Sequence, residues 1–336
     1  MAPTRVALVG AAGQTGSSIV EGLLEAGDQF SIVALTRPSS ITKPANGNLK
    51  DRGVEIRSFD LSGPEEPLVE ALRDIDVLIC AIAATDQEAQ IPLATAAKKA
   101  QVKRFVPCAF ITVAPPGRMM LRDWKEDIYN HIKRIHLPYT IIDVGWWYQI
   151  SYPRLPSGKI DYVAMNVPTL IGDGNVPSAL TDLRDIGRYV AKIVVDERTL
   201  NKYFLAYDEL LTPNQVVEEL ERLSGDTIPR EYLSEQTLRE KIETASKLYE
   251  TDLSQAFLKA SAEYMLSWGI NGDNTPDNAK YLGYLTCKEL YPDFQSISYT
   301  SYLQEVLDGE AKPVYEDNEE IRSLTISLRE SMDGKA

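Results

Sequence analysis

Residues 6–24, VALVGAAGQTGSSIVEGLL, set three glycines between an apolar run and a helical repeat. The run 6–9 has the length and content of a buried strand, and Ile19, Val20, Leu23 and Leu24 recur at helical spacing. Gly10, Gly13 and Gly16 therefore fall in a strand-to-helix turn, with Gln14 and Thr15 between them. Residues lacking a Cβ let backbone N–H groups approach an anion at the start of a helix. The spacing is G-x-x-G-x-x-G rather than G-x-G-x-x-G, and such turns also arise for packing alone. The setting, first in the chain between strand and helix, is what points to a dinucleotide phosphate.

The pattern that follows extends this unit. FSIVALTR, VEIRSFDL, DVLICAIAA, KRFVPCAF and PYTIIDVGWW read as five more strands, with helical segments such as 67–73 and 91–99 between them. Strand–helix alternation predicts an α/β fold, a Rossmann-type doubly wound parallel sheet covered on both faces. The regularity fades after Trp147, where SYPRLPSGKIDY reads as a loop or domain crossing. DLRDIGRYVAKIVVD is again a helix with Asp182 or Asp185 near its start, and helices are expected over 214–222, 234–245 and 252–266. The expected division is a Rossmann domain over 1–158, rejoined by 182–208. A smaller, mainly helical substrate domain takes 159–181 and 209–336.

Charge and cysteine content exclude several partners. The chain has 336 residues and a formal net charge of −14, which disfavours nucleic acid, whose phosphates require basic surface. Cys80, Cys108 and Cys287 are widely spaced and the histidines are only two, His131 and His136. No metal site is expected, and a reducing, cytoplasmic location is. No apolar run approaches the roughly 20 residues that cross a bilayer.

The second strand ends LTRPSS, with Arg37 where an acidic residue would select a free ribose hydroxyl. A guanidinium there suits a 2′-phosphate by charge and fork geometry, and Lys43 or Lys50 adds a second cation. This favours NADP(H) over NAD, against the alternative of a solvated surface arginine. Asp60, ending the third strand, falls at an adenine-side position or caps the following turn. Ala83, after the fourth strand, and Pro107 and Cys108, after the fifth, complete the cofactor-side candidates.

In LRDWKEDIYNHIKRIHLPYT, Leu121, Trp124, Ile128, Ile132 and Ile135 form one apolar stripe. The segment contains an apparent Y-x-x-x-K, Tyr129 to Lys133, the pair used by short-chain dehydrogenases. At ~100° per residue, however, Lys133 points away from the stripe, whereas Lys125 flanks it beside Trp124. Lys125 also stands thirteen residues before Pro138, the register of the motif lysine in extended short-chain dehydrogenases, and Leu121 fills the tyrosine slot. Beside an apolar side chain and facing a cleft, its amine would be partly desolvated. That favours the neutral form and eases proton exchange. The alternative is a lysine that only snorkels past an apolar face.

GAAGQTG, VKRFVPCAF, Lys125 with LPYT, DLRDIGRYVAKIVVDERTLNKYF and ELYPDFQSISYTSYLQE together resemble the NmrA-like and isoflavone reductase class of atypical short-chain dehydrogenases. That class includes phenylcoumaran benzylic ether and pinoresinol–lariciresinol reductases. The resemblance covers most of the chain. It implies NADPH binding, a reductase activity and a proton-transfer role for Lys125. One departure is clear: plant members read Pro-Ser-Glu-Phe-Gly after the fifth strand, where this chain has Pro107, Cys108, Ala109, Phe110 and Ile111. TVAPPGRMM, which follows, resembles a fungal-type branch, so plant substrates are not carried over.

On the substrate side, Phe110, Trp146, Trp147, Tyr148 and Tyr152 lie at or after the carboxyl ends of strands, where ligands bind in open α/β folds. Some of the aromatics at this spacing must simply be core. Cys108 and Asp143 are expected to be structural. The expected function is an NADPH-dependent reductase of a small aromatic or conjugated metabolite. The competing readings are a redox-neutral isomerase or dehydratase at the same site, and an NADP-binding regulator without turnover. The expected partner is a small molecule; a homodimer stays open.

Overall fold

The computed structural model describes residues 2–160, 169–252 and 256–315, with 319, 322, 323 and 326. Strands β1 (Thr4–Val9), β2 (Phe30–Thr36), β3 (Glu55–Ser58), β4 (Val77–Cys80) and β5 (Arg104–Val106) form a parallel sheet in the order β3-β2-β1-β4-β5. A single bridge from Phe105 to Tyr139 carries it on to β6 (Thr140–Val144), which pairs in parallel with Lys202–Ala206 and, beyond it, Tyr284–Thr286. The inner strands are apolar on both faces because helices cover both, whereas the edge strand β3 is polar and partly exposed. One core layer gathers Val6, Leu8, Ile19, Leu23 and Ile186; the other gathers Ala7, Val33, Leu78, Phe105, Ile128 and Ile132.

The crossovers are α1 (Gln14–Glu25), α2 (Pro44–Asp51), α3 (Glu65–Ala71), α4 (Gln90–Lys99) and α5 (Met120–Arg134). The order reverses at β1, whose neighbours are β2 and β4, and this is the switch point where open α/β sheets bind ligands.

Helix α6 (Leu183–Ile193), from the DLRDIG segment, returns to pack on α1. The two meet glycine to glycine. A Cβ on Gly22 would lie 2.1 Å from the Gly187 carbonyl carbon, and one on Gly187 would lie 1.7 Å from the Ser18 carbonyl oxygen. The Ser18 hydroxyl accepts from the Gly187 N–H at 2.9 Å, which pins the crossing. At the other end of α6, Arg104 donates to the carbonyls of Ile193 and Asp196 and to the Thr199 hydroxyl, satisfying carbonyls that the helix leaves open.

The second half of the molecule carries helices Pro213–Ser224, Glu235–Thr251 and Ala256–Leu266, together with short strand pairs. A third core of Tyr148, Tyr152, Leu155, Val217, Leu220, Tyr299 and Tyr302 holds it together. Trp146 and Trp147 do not extend β6. They pair with Ser178–Thr181, because Gly145 bonds to the Thr181 hydroxyl and turns the chain into a different sheet. Among the described residues no helix is long and apolar enough to cross a membrane.

Candidate active site

A cleft of about 1200 Å³ runs along the carboxyl edge of the sheet. Gly10, Ala11, Ala12 and Gly13 line one end. Gly10 takes φ +86°, and a Cβ there would lie 2.1 Å from the Ala81 carbonyl oxygen; one on Gly16 would lie 2.0 Å from the Gly10 oxygen. The turn therefore closes only with glycine at both positions. The first turn of α1 has no acidic residue, so its N–H groups meet no negative side chain there. Gly16 lies beneath the turn, and Gln14 and Thr15 begin α1 rather than line the cleft.

Arg37 and Lys43 line the same end, both exposed, and neither guanidinium nor amine makes an ion pair among the described residues. Thr36 and Asn46 shape their loop: the Thr36 hydroxyl donates to the Asn46 side chain at 3.3 Å, and the Asn46 amide donates to the Ser40 carbonyl at 2.6 Å. Asp60 also lines the cleft and accepts from the Ser62 N–H and hydroxyl, at 3.0 and 2.7 Å. The Ser62 hydroxyl, then its N–H, holds the carboxyl below its ordinary range. A tight backbone turn of glycines and alanines with two cations beside it fits an anionic dinucleotide.

Ala81 and Ile82, beside the glycine turn, lead on to Ala83 and Gln87, which line the cleft together with Leu121 and Trp124 of α5. Lys125 stands just behind this wall, 4% exposed. Its amine donates to the Cys108 carbonyl and, at 3.2 Å, to Gln87 Oε1. Gln87 in turn donates to the Ala83 carbonyl at 3.0 Å and accepts from Gln90 at 2.8 Å, and Gln90 Oε1 accepts from the Cys108 N–H at 2.6 Å. The lysine is thus fixed by a closed ring of neutral groups that joins the start of α4 and the loop after β5 to α5. Cys108 acts in it through its backbone; its thiol donates to the Ile82 carbonyl. Pro107 is buried at the foot of the ring and does not line the cleft.

The neighbouring Y-x-x-x-K pair is placed differently. Tyr129 is core, packed at right angles to Tyr203, and Lys133 lies at the surface, donating to the Tyr203 hydroxyl at 2.9 Å. Asp143 is fully buried on β6. Burial pushes its carboxyl up to about 6, against the opposing effects of Arg122, the Tyr284 hydroxyl and Lys125.

The second cavity, about 80 Å³, lies in the C-terminal half between Trp146, Tyr152, Leu170, Leu180, Val217 and Trp268. The Trp146 ring sits 5.8 Å from Tyr264 and 5.9 Å from Trp268. Of the five substrate-side candidates, Trp146 and Tyr152 reach this cavity and the other three reach neither space. Phe110, at φ +46°, is buried in the sheet core. Trp147 stacks on Tyr315 at 6.2 Å, and Tyr148 packs at 4.9 Å on Tyr299 with its hydroxyl on the Ile297 carbonyl. Phe110 and Tyr148 are buried in the core and Trp147 is half-buried against it.

Sequence reasoning missed Gln87 and Gln90, whose three-residue spacing before a helix was the available signal. It also missed Tyr249, Ala256, Phe257 and Ala260, which close the cleft from the opposite side. Nothing local marks those residues, since they reach the cleft through the packing of two distant helices.

A doubly wound parallel sheet with a glycine turn at its switch point and a cleft along its carboxyl edge defines a Rossmann-type protein. The chain belongs to the NmrA-like family, whose model matches residues 3–284. It is similar to the asnovolin J 5′,6′-dehydrogenase of Aspergillus novofumigatus (strain IBT 16806), at 48% identity over 313 residues, covering 90% of this chain and 95% of that protein. An isoflavone reductase-like protein of Olea europaea is 27% identical, covering 90% and 98%. Among solved structures, a leucoanthocyanidin reductase–NADPH complex from Vitis vinifera matches with a TM-score of 0.76 at 22% identity, covering 90% of this chain and 99% of that one. A structure with NADP+ and (+)-pinoresinol matches with a TM-score of 0.72 at 25% identity, with the same coverage.

Proposed function

We propose that this protein is an NADP(H)-dependent oxidoreductase of a small, conjugated or aromatic secondary metabolite, with Lys125 as its proton-transferring residue. The observation that carries the reading is the buried amine of Lys125, fixed on Gln87 and the Cys108 carbonyl at the end of the large cleft. The family and the NADP(H)-bound relatives support the cofactor. Gly10 and Gly13 would take its phosphates, Arg37 and Lys43 a 2′-phosphate, and Asp60 the adenine side. When bound, the dinucleotide supplies or accepts a hydride.

The chain's own part is to hold and move a proton at Lys125 Nζ. The Gln87–Gln90–Cys108 ring fixes the amine without neutralising it, because its acceptors carry no charge. In reduction Nζ gives a proton to the developing substrate anion; in the reverse direction it takes one. Trp124 and Leu121 exclude water from one side. Trp146 and Tyr152 are the substrate-side residues of this reading.

The direction of net reaction has a second reading, oxidation, favoured by the name of the fungal relative. Both are tested together. Nicotinamide absorbance is followed with NADPH and a panel of conjugated enones, and with NADP+ and asnovolin J, for wild type and Lys125→Ala. Turnover that falls by about 100- to 10,000-fold in the variant is the expected result. NADPH binding without turnover of any member of the panel would favour a regulator or a redox-neutral enzyme.

A further inference from the structure

The helix Ala256–Leu266 connects the two spaces of the molecule. Phe257, Ala260 and Tyr264 stand three and four residues apart in it and share one face. Phe257 and Ala260 line the large cleft together with Leu121 and Trp124. Tyr264 lines neither space, and its ring lies 5.8 Å from that of Trp146. Trp268, just past the helix, lies 5.9 Å from Trp146, and both line the small cavity. An apolar row thus runs from the cleft to the cavity, and between Ala260 and Trp268 it advances about 12 Å.

Both ends of the row are fixed. At the cleft, Glu263 accepts from the N–H of Met120, the first residue of α5, at 2.7 Å, which ties the row to the helix that carries Lys125. At the cavity, Trp268 belongs to a π-helical turn, Ser267–Asn271, a rare conformation that recurs at functional sites. Gly269 in that turn packs so closely on the strand Thr169–Ile171 that a Cβ would lie 2.5 Å from Ile171 Cγ2. Several polar groups that border the cavity are already spent on protein partners. Ser178 accepts from Asn274 at 2.9 Å, Ser151 donates to the Tyr148 carbonyl at 2.8 Å, and Arg230 pairs with Glu221 at 2.8 Å. Trp146, Ile150, Leu170, Leu180, Val217 and Trp268 make the rest of the wall largely apolar. Such a surface favours hydrocarbon over water. A cavity of about 80 Å³ is roughly half the size of one that holds a benzene ring, so it takes about three carbon atoms.

We propose that the small cavity is a remote subsite for the substrate and takes an apolar group of about three carbon atoms. The body of the molecule lies across Tyr264 and Trp146, and its conjugated end reaches Lys125. The substrate class is thereby an elongated molecule, conjugated at one end and aliphatic at the other. The proposal rests on the reading of the cleft at Lys125 as the place of reaction.

The test needs no turnover. The full chain, saturated with NADP+, is titrated by calorimetry with trans-chalcone, a flat conjugated ketone, and with its 4-alkyl derivatives from methyl to octyl. Affinity should climb by about fourfold per methylene over about three consecutive methylenes and then stop. Val217→Phe, which fills the cavity, should abolish the climb. Leu180→Ala, which enlarges it, should extend the climb by about one or two methylenes. Damage to the fold alone does not move the limit in opposite directions. Should Val217→Phe fail to fold, Leu170→Phe fills the same space from a half-buried position. Chalcone that binds with no climb, a climb without limit, or a limit that neither variant moves overturns the subsite. Enone turnover that survives Lys125→Ala would end the proton-carrier reading instead, and the chain-length series, read by binding alone, separates the two.

Discussion

The large cleft takes most of its wall from residues 9–91 in chain order, whereas the small cavity gathers Trp146, Tyr152, Leu170, Leu180, Val217 and Trp268 from separate segments. The cleft is shaped at one end by backbone, through glycines whose missing Cβ atoms let the turn close. The cavity is shaped by side chains, mostly large and apolar. A single atom added to the first should act through the backbone and change binding sharply. A side chain trimmed in the second should act through volume and change it by degrees.

The sharpest test of that difference is Gly10→Ala. Its Cβ would meet the Ala81 carbonyl oxygen at 2.1 Å in a conformation with φ +86°. Strain of this kind costs on the order of 1–3 kcal/mol even before the clash is relieved. NADPH affinity, measured by calorimetry, should fall by more than about 100-fold, with a lower melting temperature. Near-normal binding would mean that the turn can shift, and the cleft would then be no more backbone-determined than the cavity.

Arg37→Ala probes the same end through a side chain. Arg37 is exposed, so the expected effect is smaller: loss of a charge-assisted contact worth about 1.5–3 kcal/mol, or roughly 10- to 100-fold in NADPH affinity. NADH should change by less than about threefold, since it carries no 2′-phosphate. Equal loss of both would remove Arg37 from the 2′-phosphate and leave it as part of the loop held by Asn46.

The same contrast explains what the sequence made legible. The strand–glycine–helix turn, the parallel alternation and the position of Arg37 are local, and period and spacing reveal them. The return of α6 onto α1 shows in the DLRDIG segment only as a second helix, but its Gly187 meets Gly22 from almost half a chain length away. Lys125 stood out by helical phase and register, yet the glutamines that fix it did not, because an interior amide carries no periodic signal. Spacing alone does not divide the aromatics after β6 between substrate side and core. Gly145 turns the chain, so Trp146 and Tyr152 face a cavity while Tyr148 is buried in the core and Trp147 stacks half-buried on Tyr315. Tyr249 and Phe257 were invisible for a stronger reason, since only the docking of distant helices brings them to the cleft.

Trp146→Leu tests the graded side of the comparison. Trp146 packs between Tyr264 and Trp268 on the cavity wall, and its loss leaves a space that its neighbours fill only in part. In steady-state assays with any substrate turned over, KM should rise by about 3- to 10-fold with NADPH affinity unchanged, the scale on which apolar pockets discriminate. A fall in NADPH affinity of the same size would show that cavity and cleft are coupled, and the separation drawn here would fail.

The smallest effect is expected at Lys133, on the same helix as Lys125. The two lysines are eight residues apart, but the helix carries them to different surroundings: Lys125 is buried at the cleft, and Lys133 reaches solvent beside Tyr203. Its contacts there are a hydrogen bond to the Tyr203 hydroxyl and the ring face at 5.1 Å, exposed interactions that contribute about 0.5–1 kcal/mol together. Lys133→Ala should therefore change turnover by less than about twofold and lower the melting temperature by only a few degrees. If it abolishes turnover while Lys125→Ala does not, the proton comes from the Tyr129 side of α5. The cleft would then extend into the core, and Tyr129, buried with no hydrogen-bond partner for its hydroxyl among the described residues, would be the residue to examine next.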